Sequence, residues 1–294
     1  MTIRNPVEWT WDQLGHVAHG MASAGRAIGD LERPRDTSAP SVRHIGMADL
    51  GAAVRAGLAD FGACRTDVIF LALIYPIAGV ILARAAVSYD MLPLVFPLAS
   101  GFVLIGPVAA IGLYEMSRRR ERGEAASWGD AFGAVRSPAI AGIAVLGLIL
   151  AALFVAWLFA AQAIYDATLG PEPPLALSSF IGDVFTTEAG LIMIVAGCGA
   201  GFLFAVAALA ISIVSFPLML DQDVSVHTAI ATSVRAVAAS PKEMAAWGAL
   251  VSGSLVLGSI PLFVGLIIVM PVLGHATWHL YRRVVGRDLS SARP

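Results

Sequence analysis

The sequence predicts an all-α, polytopic membrane protein, and three observations carry that prediction. Only 14% of its 294 residues are charged. Ordinary soluble domains carry roughly 25%, so the chain is short of solvent-facing side chains by almost half. Several separate apolar runs of about 20 residues account for the shortage, which fits spanning helices. A spanning barrel would instead show alternating strands of about ten residues. Finally, residues 101–123, GFVLIGPVAAIGLYEMSRRRERG, pass from a long uncharged run into Glu115 and then Arg118, Arg119, Arg120 and Arg122. Cationic loops are retained inside, so these four arginines determine topology and pin this span on its cytoplasmic side.

Residues 1–41 are polar, rich in Ala, Gly and Arg, and close on a Pro-containing charged stretch. No apolar segment of signal-peptide type follows the start, and the composition predicts a disordered cytoplasmic tail. From residue 45 to 61 the pattern changes. Leu50, Val54, Leu58 and Phe61 recur at helical spacing, with Asp49, Arg55 and Asp60 elsewhere around the axis. This segment is too short and too charged to span, so it reads as an interfacial amphipathic helix.

Six spans are then expected. The first covers residues 68–87, with a kink at Pro76 and Arg84 near the far end. The second covers 94–116, the third 139–164 and the fourth 189–220. The fourth is longer than a bilayer needs and must tilt, kink near Pro217 or protrude. Residues 245–281 form the last apolar region, which as one helix would reach ~55 Å at helical rise. A split at Gly258-Ser259-Ile260-Pro261 gives two spans of marginal length. Charge favours the split. With six spans every Lys and Arg except Arg84 lies on the cytoplasmic side, while the outer loop 165–188 holds Asp166, Glu172, Asp183 and Glu188 and no cation. Both termini are then cytoplasmic, with 42–285 as the membrane domain and 286–294 as a C-terminal tail. The inner boundary collects Trp128, Trp247, Trp278, Tyr114 and Tyr281, and the outer one Trp157, Tyr165 and Tyr89, the pattern of an aromatic belt.

A threefold repeat is suggested by three cytoplasmic segments. Residues 50–55 (LGAAVR) share their spacing with 230–235 (IATSVR), and 132–136 (FGAVR) is one residue shorter. Each precedes an outward-going span, which suggests three units of an interfacial helix plus a two-span hairpin.

Candidate chemistry is sparse. The mid-membrane polar residues are Ser100, Ser212, Ser252 and Ser254, all able to bond back to their own helix. Ion- and proton-coupled carriers place carboxylates, His or Arg near the midplane, which argues against that class and leaves a route for a neutral or apolar solute open. Gly197, Gly199 and Gly201, and Gly248, Ser252 and Gly253, form small-residue stripes suited to close packing or to lining a ligand cavity. Near the C-terminus His275, Trp278, His279 and Arg282 share one helical face. Histidines at i and i+4 suit a metal, a haem or an anionic head group, or else serve as interfacial anchors. Asp221 and Asp223 lie on the same side of the membrane and complete the candidate binding set. Asp221-x-Asp223-x-Ser225 opens like a calcium loop, but Val226 and Thr232 stand where that loop needs Gly and Glu. If the histidines face the bundle, Asp221, Asp223 and Glu115 are their expected partners. No nucleophile elbow, P-loop, H-E-x-x-H or paired-Cys motif occurs, nothing points to nucleic acid, and no enzyme is expected.

Three stretches in order, LIGPVAAIGLYEMSRRRERGE, FPLMLDQDVS and VMPVLGHATWHLYRRVV, resemble a family of predicted bacterial integral membrane proteins in a domain-of-unknown-function class. The resemblance covers about residues 42–285. Some members of that family carry a cytochrome c oxidase label, which implies a respiratory-membrane setting. The chain nevertheless lacks the intramembrane histidines of a haem–copper catalytic subunit. The resulting expectation is a bacterial inner-membrane protein serving as a non-enzymatic accessory, assembly or scaffold component, with other inner-membrane proteins as partners. A carrier or channel for a neutral or apolar molecule is the alternative, and a metal- or haem-binding protein using His275 and His279 is a third.

Overall fold

The computed structural model describes residues 40–63, 92–124, 139–170, 176–261 and 263–285, with single positions at 77, 80, 84, 137, 172 and 174. The two tails, nearly all of the first expected span and the middle repeat segment 132–136 lie outside the described residues. Within them the protein is helical, and the one extended contact is a bridge between Val42 and Val285.

Helix α1 (Met47–Ala63) starts with the Gly46 N–H donating to Asp49 Oδ2 at 3.0 Å, a side chain reaching back over the first turn. That backbone bond, joined by the Arg283 guanidinium, holds the Asp49 carboxyl below the usual range. The buried face of α1 is Leu50, Ala53, Gly57, Asp60 and Phe61. Leu58, expected on the buried stripe, is 55% exposed. The cause is Gly57, where a Cβ would lie 2.5 Å from the Ala276 backbone nitrogen. A crossing this close is set by backbone contact, and it rotates Leu58 outward.

A 3-10 turn (Leu92–Leu94) leads into α2 (Val95–Ala109), and a one-residue break at Ala110 separates it from α3 (Ile111–Glu121). Hydrogen bonding crosses the break, since Ala110 N–H donates to Gly106 and Tyr114 N–H to Ala110, each at 2.9 Å. Arg118, Arg119 and Arg120 fill the last turn of α3, where cations complement the helix dipole.

Helix α4 (Ile140–Thr168) runs 29 residues, ~44 Å at 1.5 Å per residue. It leaves Leu148, Val155 and Phe159 exposed. A short α5 (Leu177–Thr186) precedes α6 (Glu188–Ser212), whose N-cap Thr187 accepts from the Gly190 N–H and whose first turn holds Glu188. The chain then breaks at Ile213–Val214 and resumes as α7 (Ser215–Asp221). The expected tilt, kink near Pro217 or protrusion takes the form of an interruption, four residues before Pro217. A proline cannot donate to the carbonyl four residues back, and its ring clashes with that carbonyl. Val214 N–H donates instead to Ser233 Oγ at 3.2 Å. Ser225 caps α8 (Val226–Ala239) by accepting from Thr228 N–H.

Helix α9 (Pro241–Ser259) has its proline at the first position, where a missing N–H costs nothing. It ends where the split was expected. Turns carry the chain through Phe263, at φ 65°, to α10 (Leu266–Val284). A Cβ on Gly265 would sit 2.8 Å from Gly258, so the hairpin closes only with glycine there.

Two described segments are long and apolar enough to cross a membrane, Ile140–Thr168 and Glu188–Asp221. The second includes the interrupted α6–α7 pair. Large side chains concentrate toward the arginine-rich end, where Tyr114, Phe216, Trp247, Trp278 and Tyr281 are all buried. The aromatic-belt expectation is corrected here, since Trp157 and Tyr165 are buried as well. Trp157 packs on Ser100, Gly201 and Phe204, and Tyr165 on Phe180 and the Glu172 carbonyl. Away from that end the helices present Phe159, Phe202, Leu203, Leu257 and Ile260 outward, an apolar surface of the kind that meets lipid. Of the repeat segments, α1 packs chiefly on α10 and α8 on α6 and α7.

The Gly57 crossing gives a direct test. Gly57→Ala places a methyl on backbone and should destabilise by about 1–3 kcal/mol. Gly51→Ala, also within α1 and with only the Arg55 guanidinium near, should stabilise by up to about 1 kcal/mol through helix propensity. Denaturation of the purified protein in detergent reads both, and equal effects would contradict the close crossing.

Candidate functional site

Helix α10 brings His275 and His279 against α1 and α3. His275 is fully buried, so the pair faces the bundle. Its carboxylate partner is Asp60, in place of the expected Asp221, Asp223 or Glu115. His279 Nε2 lies 2.8 Å from Asp60 Oδ2, Ser117 Oγ donates to the same oxygen at 2.7 Å, and Arg120 Nε is 3.2 Å from Oδ1. Burial works against the charge on Asp60, but the bonds from His279 and Ser117 outweigh it and hold the carboxyl below its usual range.

An ionised Asp60 only accepts, which fixes the protons around it. The single Ser117 proton goes to Asp60, so the 2.7 Å contact between Ser117 Oγ and His275 Nδ1 requires Nδ1–H to donate. His275 Nε2 is then a bare lone pair, buried and with no partner in the protein. His279 Nε2 and His275 Nδ1 are engaged by Asp60 and Ser117, one nitrogen of each ring. No group of three or more His, Cys, Asp or Glu among the described residues is arranged to hold a metal ion.

The next turn of α10 builds a second network. Arg282 bonds Glu121 Oε1 through Nε and Nη2, at 3.2 and 3.0 Å, and Asp221 Oδ2 through Nη1 at 3.1 Å. Tyr281 OH donates to Asp221 Oδ2 at 2.8 Å and Trp278 Nε1 to Glu121 Oε2 at 3.2 Å. Thus His275, Trp278, His279, Arg282 and Asp221 do gather at one end of the bundle, while Asp223 is exposed in the loop between α7 and α8. Three of the four topology arginines also join helices or turns. Arg118 pairs with Glu115 and donates to the Leu220 carbonyl, Arg119 pairs with Glu115, and Arg120 with Asp60. Arg122 is exposed. These contacts tie α1, α3, α7 and α10 to one another as a clamp does.

Sequence reasoning missed Asp60, Ser117 and Glu121. A signal for Asp60 existed, since Leu50, Ala53, Gly57 and Asp60 fall at steps of three, four and three. That is a helix face of small residues ending in a carboxylate.

A cavity of about 390 Å³ lies between α2–α3, α6, α9 and α10, within the ~300–1,000 Å³ of small-molecule sites. Its walls owe their width to small residues, among them Gly106, Ala205, Gly248 and Ser252. Gly248 and Ser252 were read in the sequence as suited to packing or cavity lining, and they line this space. Gly197, Gly199 and Gly253 have nothing within 4 Å of a would-be Cβ, and only Gly201 of that set packs closely, on Trp157. Among the described residues that line the cavity, none carries a charge. Trp247 is one of them, and its Nε1–H is buried without an acceptor.

Long apolar helices and an outward apolar surface define a helical integral membrane protein. Residues 95–221 match the model of a family described as "Predicted integral membrane protein (DUF2189)". The match runs from α2 through α7 and agrees with the resemblance read in the first two quoted stretches. Comparison with curated proteins and with solved structures returned no match.

The clamp predicts a pH signature. A carboxyl held below its ordinary value of 3.8 contributes stability that is complete above that value and lost as the pH falls through the lower folded one. Asp60→Asn should cost about 3 kcal/mol at neutral pH, because Arg120 and His279 lose a buried partner. Between pH 5 and pH 3 its melting temperature should fall less steeply than that of the wild type. Parallel profiles would mean that Asp60 is not the titrating group.

Proposed function

We propose that this protein is a non-enzymatic, six-span integral membrane protein that binds a neutral, largely apolar small molecule between its helices. The cavity walled by α2–α3, α6, α9 and α10 carries the reading. A cleft of this size, walled by apolar side chains from several helices, offers a small molecule contact on several sides. The absence of charge on its walls suits a neutral molecule, since a buried charge without a partner is strongly disfavoured. A protein of this kind can serve as an accessory component of a bacterial inner-membrane complex, and ligand binding is the part of that role which the geometry supports.

The six-span arrangement, with both termini cytoplasmic and three helix-plus-hairpin units, belongs to the same proposal. It is supported by the charge asymmetry and by the hairpin break between Ser259 and Leu266. In a background with Cys64 and Cys198 replaced, a membrane-impermeant thiol reagent applied outside should label Ser178→Cys and spare Ser290→Cys. Outside labelling of Ser290→Cys would mean an odd number of spans.

For the binding site, the protein purified in dodecyl maltoside and extracted with organic solvent should yield a neutral compound near one equivalent by mass spectrometry. Ser252→Phe, which fills the cavity from α9, should lower that yield at least about tenfold with little change in melting temperature. Equal yields, both far below one equivalent, would end the proposal.

A further inference from the structure

Resting on the reading of α4 and α6 as membrane spans, we infer that α5 is an interfacial helix at the membrane–water boundary, with Leu177, Ile181 and Phe185 inserted among the lipid chains. Its place in the chain leads there first. The two described segments long and apolar enough to cross a membrane are Ile140–Thr168 and Glu188–Asp221, and α5 is the helix between them. A segment that joins two consecutive spans stays at one face of the bilayer. The ten residues of α5 reach ~15 Å, about half of what a crossing needs, so α5 is no span of its own.

The side chains say how it lies there. At helical spacing Leu177, Phe180, Ile181, Val184 and Phe185 fall in one continuous sector, and the polar residues of α5 fill the opposite one. The protein covers only part of the apolar sector. Val184 is buried, and Phe180 stands edge-on to Tyr165 with ring centroids 6.4 Å apart. Leu177, Ile181 and Phe185 are 55%, 48% and 67% exposed. The placement is fixed at both ends. Tyr165 OH donates to the Glu172 carbonyl at 2.6 Å, which ties the connection to the end of α4. A Cβ on Gly190 would lie 2.3 Å from the Asp183 carbonyl oxygen and 2.4 Å from that of Val184, so α5 rests on the first turn of α6 by backbone contact.

Lipid is the occupant that fits the uncovered ridge. Only Thr187 separates α5 from α6, whose first turns expose Leu191, Ile192 and Val195. The ridge is thus within two turns of residues that already face the bilayer. On the other side of the helix Ser178, Ser179, Asp183 and Thr186 are exposed, as a face turned to water requires. Charge plays no part in the seating. Residues 165–188 hold Asp166, Glu172, Asp183 and Glu188 and no cation, whereas helices drawn to anionic lipid carry Lys and Arg on the polar face. Burial of the apolar ridge alone holds α5 at the boundary, which in the six-span arrangement is the outer one.

Electron paramagnetic resonance of the full chain in dioleoyl phosphatidylcholine vesicles tests the inference, with one nitroxide-labelled cysteine at a time and Cys64 and Cys198 replaced. Oxygen reports contact with lipid, and a nickel chelate equilibrated across the vesicles reports contact with water. Labels at Leu177→Cys, Ile181→Cys and Phe185→Cys should favour oxygen and lie about 5–10 Å into the headgroup–acyl boundary. Labels at Ser178→Cys and Thr186→Cys should favour the chelate. All of these positions are exposed, so the labels displace no packed side chain. Adding dioleoyl phosphatidylglycerol should not deepen the immersion. Leu148→Cys, on an exposed position of α4, is the control for the span itself. If Leu148→Cys favours oxygen while every α5 site favours the chelate, the helix lies in water and the inference fails with the spans intact. If Leu148→Cys favours the chelate, the reading of α4 as a span fails as well. Apolar sites shielded from both reagents would mean that protein, such as a second copy of this chain, covers the ridge, and would overturn the lipid assignment. Deeper immersion with phosphatidylglycerol would overturn seating by apolar burial alone.

Discussion

The arginine-rich end of this protein depends on one buried carboxylate. Taking Asp60 out of water costs several kcal/mol, and that cost is offset only where donors converge with good geometry. Here they come from two other helices, Ser117 and Arg120 from α3 and His279 from α10. The convergence is possible because α10 is squeezed at one level from both sides. Gly57 brings the α1 backbone onto Ala276, and Gly274 accepts Leu113 of α3 where a Cβ would lie 2.5 Å from Leu113 Cδ1. His275 sits between the two contacts. The glycines set the distances, and the distances let a single carboxylate tie three helices together.

The cations show how one residue type serves two constraints. Counted along the chain, Arg118, Arg119, Arg120 and Arg122 orient a span, and orientation depends only on which side retains the charge. In the folded protein three of them also neutralise buried or half-buried carboxylates and cap a helix end at Leu220. The aromatic residues divide differently. Trp247, Trp278, Tyr114 and Tyr281 fall at the sequence positions of an interfacial belt, yet all are enclosed. An aromatic at a membrane boundary faces headgroups only if nothing else covers it. Here α7 and the end of α10 supply the cover, so this end is packed like a domain core while the other end is left to lipid.

Much of the fold was legible because apolar length and charge are additive along a sequence. The all-helical class, the excess length of the fourth run and the hairpin at 258–261 all rest on such sums. The misreadings arise where a glycine decides. A stripe analysis of α1 weighs side chains and gives Gly57 no weight, so Leu58 is placed inside and Asp60 outside. The same blindness affected the small-residue stripes. Gly248 reads as suited to packing or to lining a cavity, and which of the two holds depends on the partner surface. The partner of His275 was missed for a related reason. An isolated Asp on a 17-residue amphipathic helix looks like a solvated charge, and its imidazole partner His279 lies more than two hundred residues away.

The clamp and the cavity share a wall, and this constrains how the cavity can adapt. On α10, Met270, Leu273, Gly274 and Thr277 line the space, while His275 and His279 on the same turns engage Ser117 and Asp60. Displacing α10 away from the cavity would drive Ala276 into Gly57, where there is no room. It would also stretch a set of short hydrogen bonds around a buried charge. The α10 wall is therefore the fixed one. The α6 and α9 walls carry no comparable backbone-to-backbone crossing, and Gly248 meets Leu209 at an ordinary 3.4 Å. On the proposed reading, an occupant is accommodated by relative movement of α6 and α9, which line the side of the cavity where Phe202, Ala205 and Ser252 are exposed. The rigid face of the site is thus the one anchored in the arginine-rich core, and the compliant face is the one turned toward the bilayer.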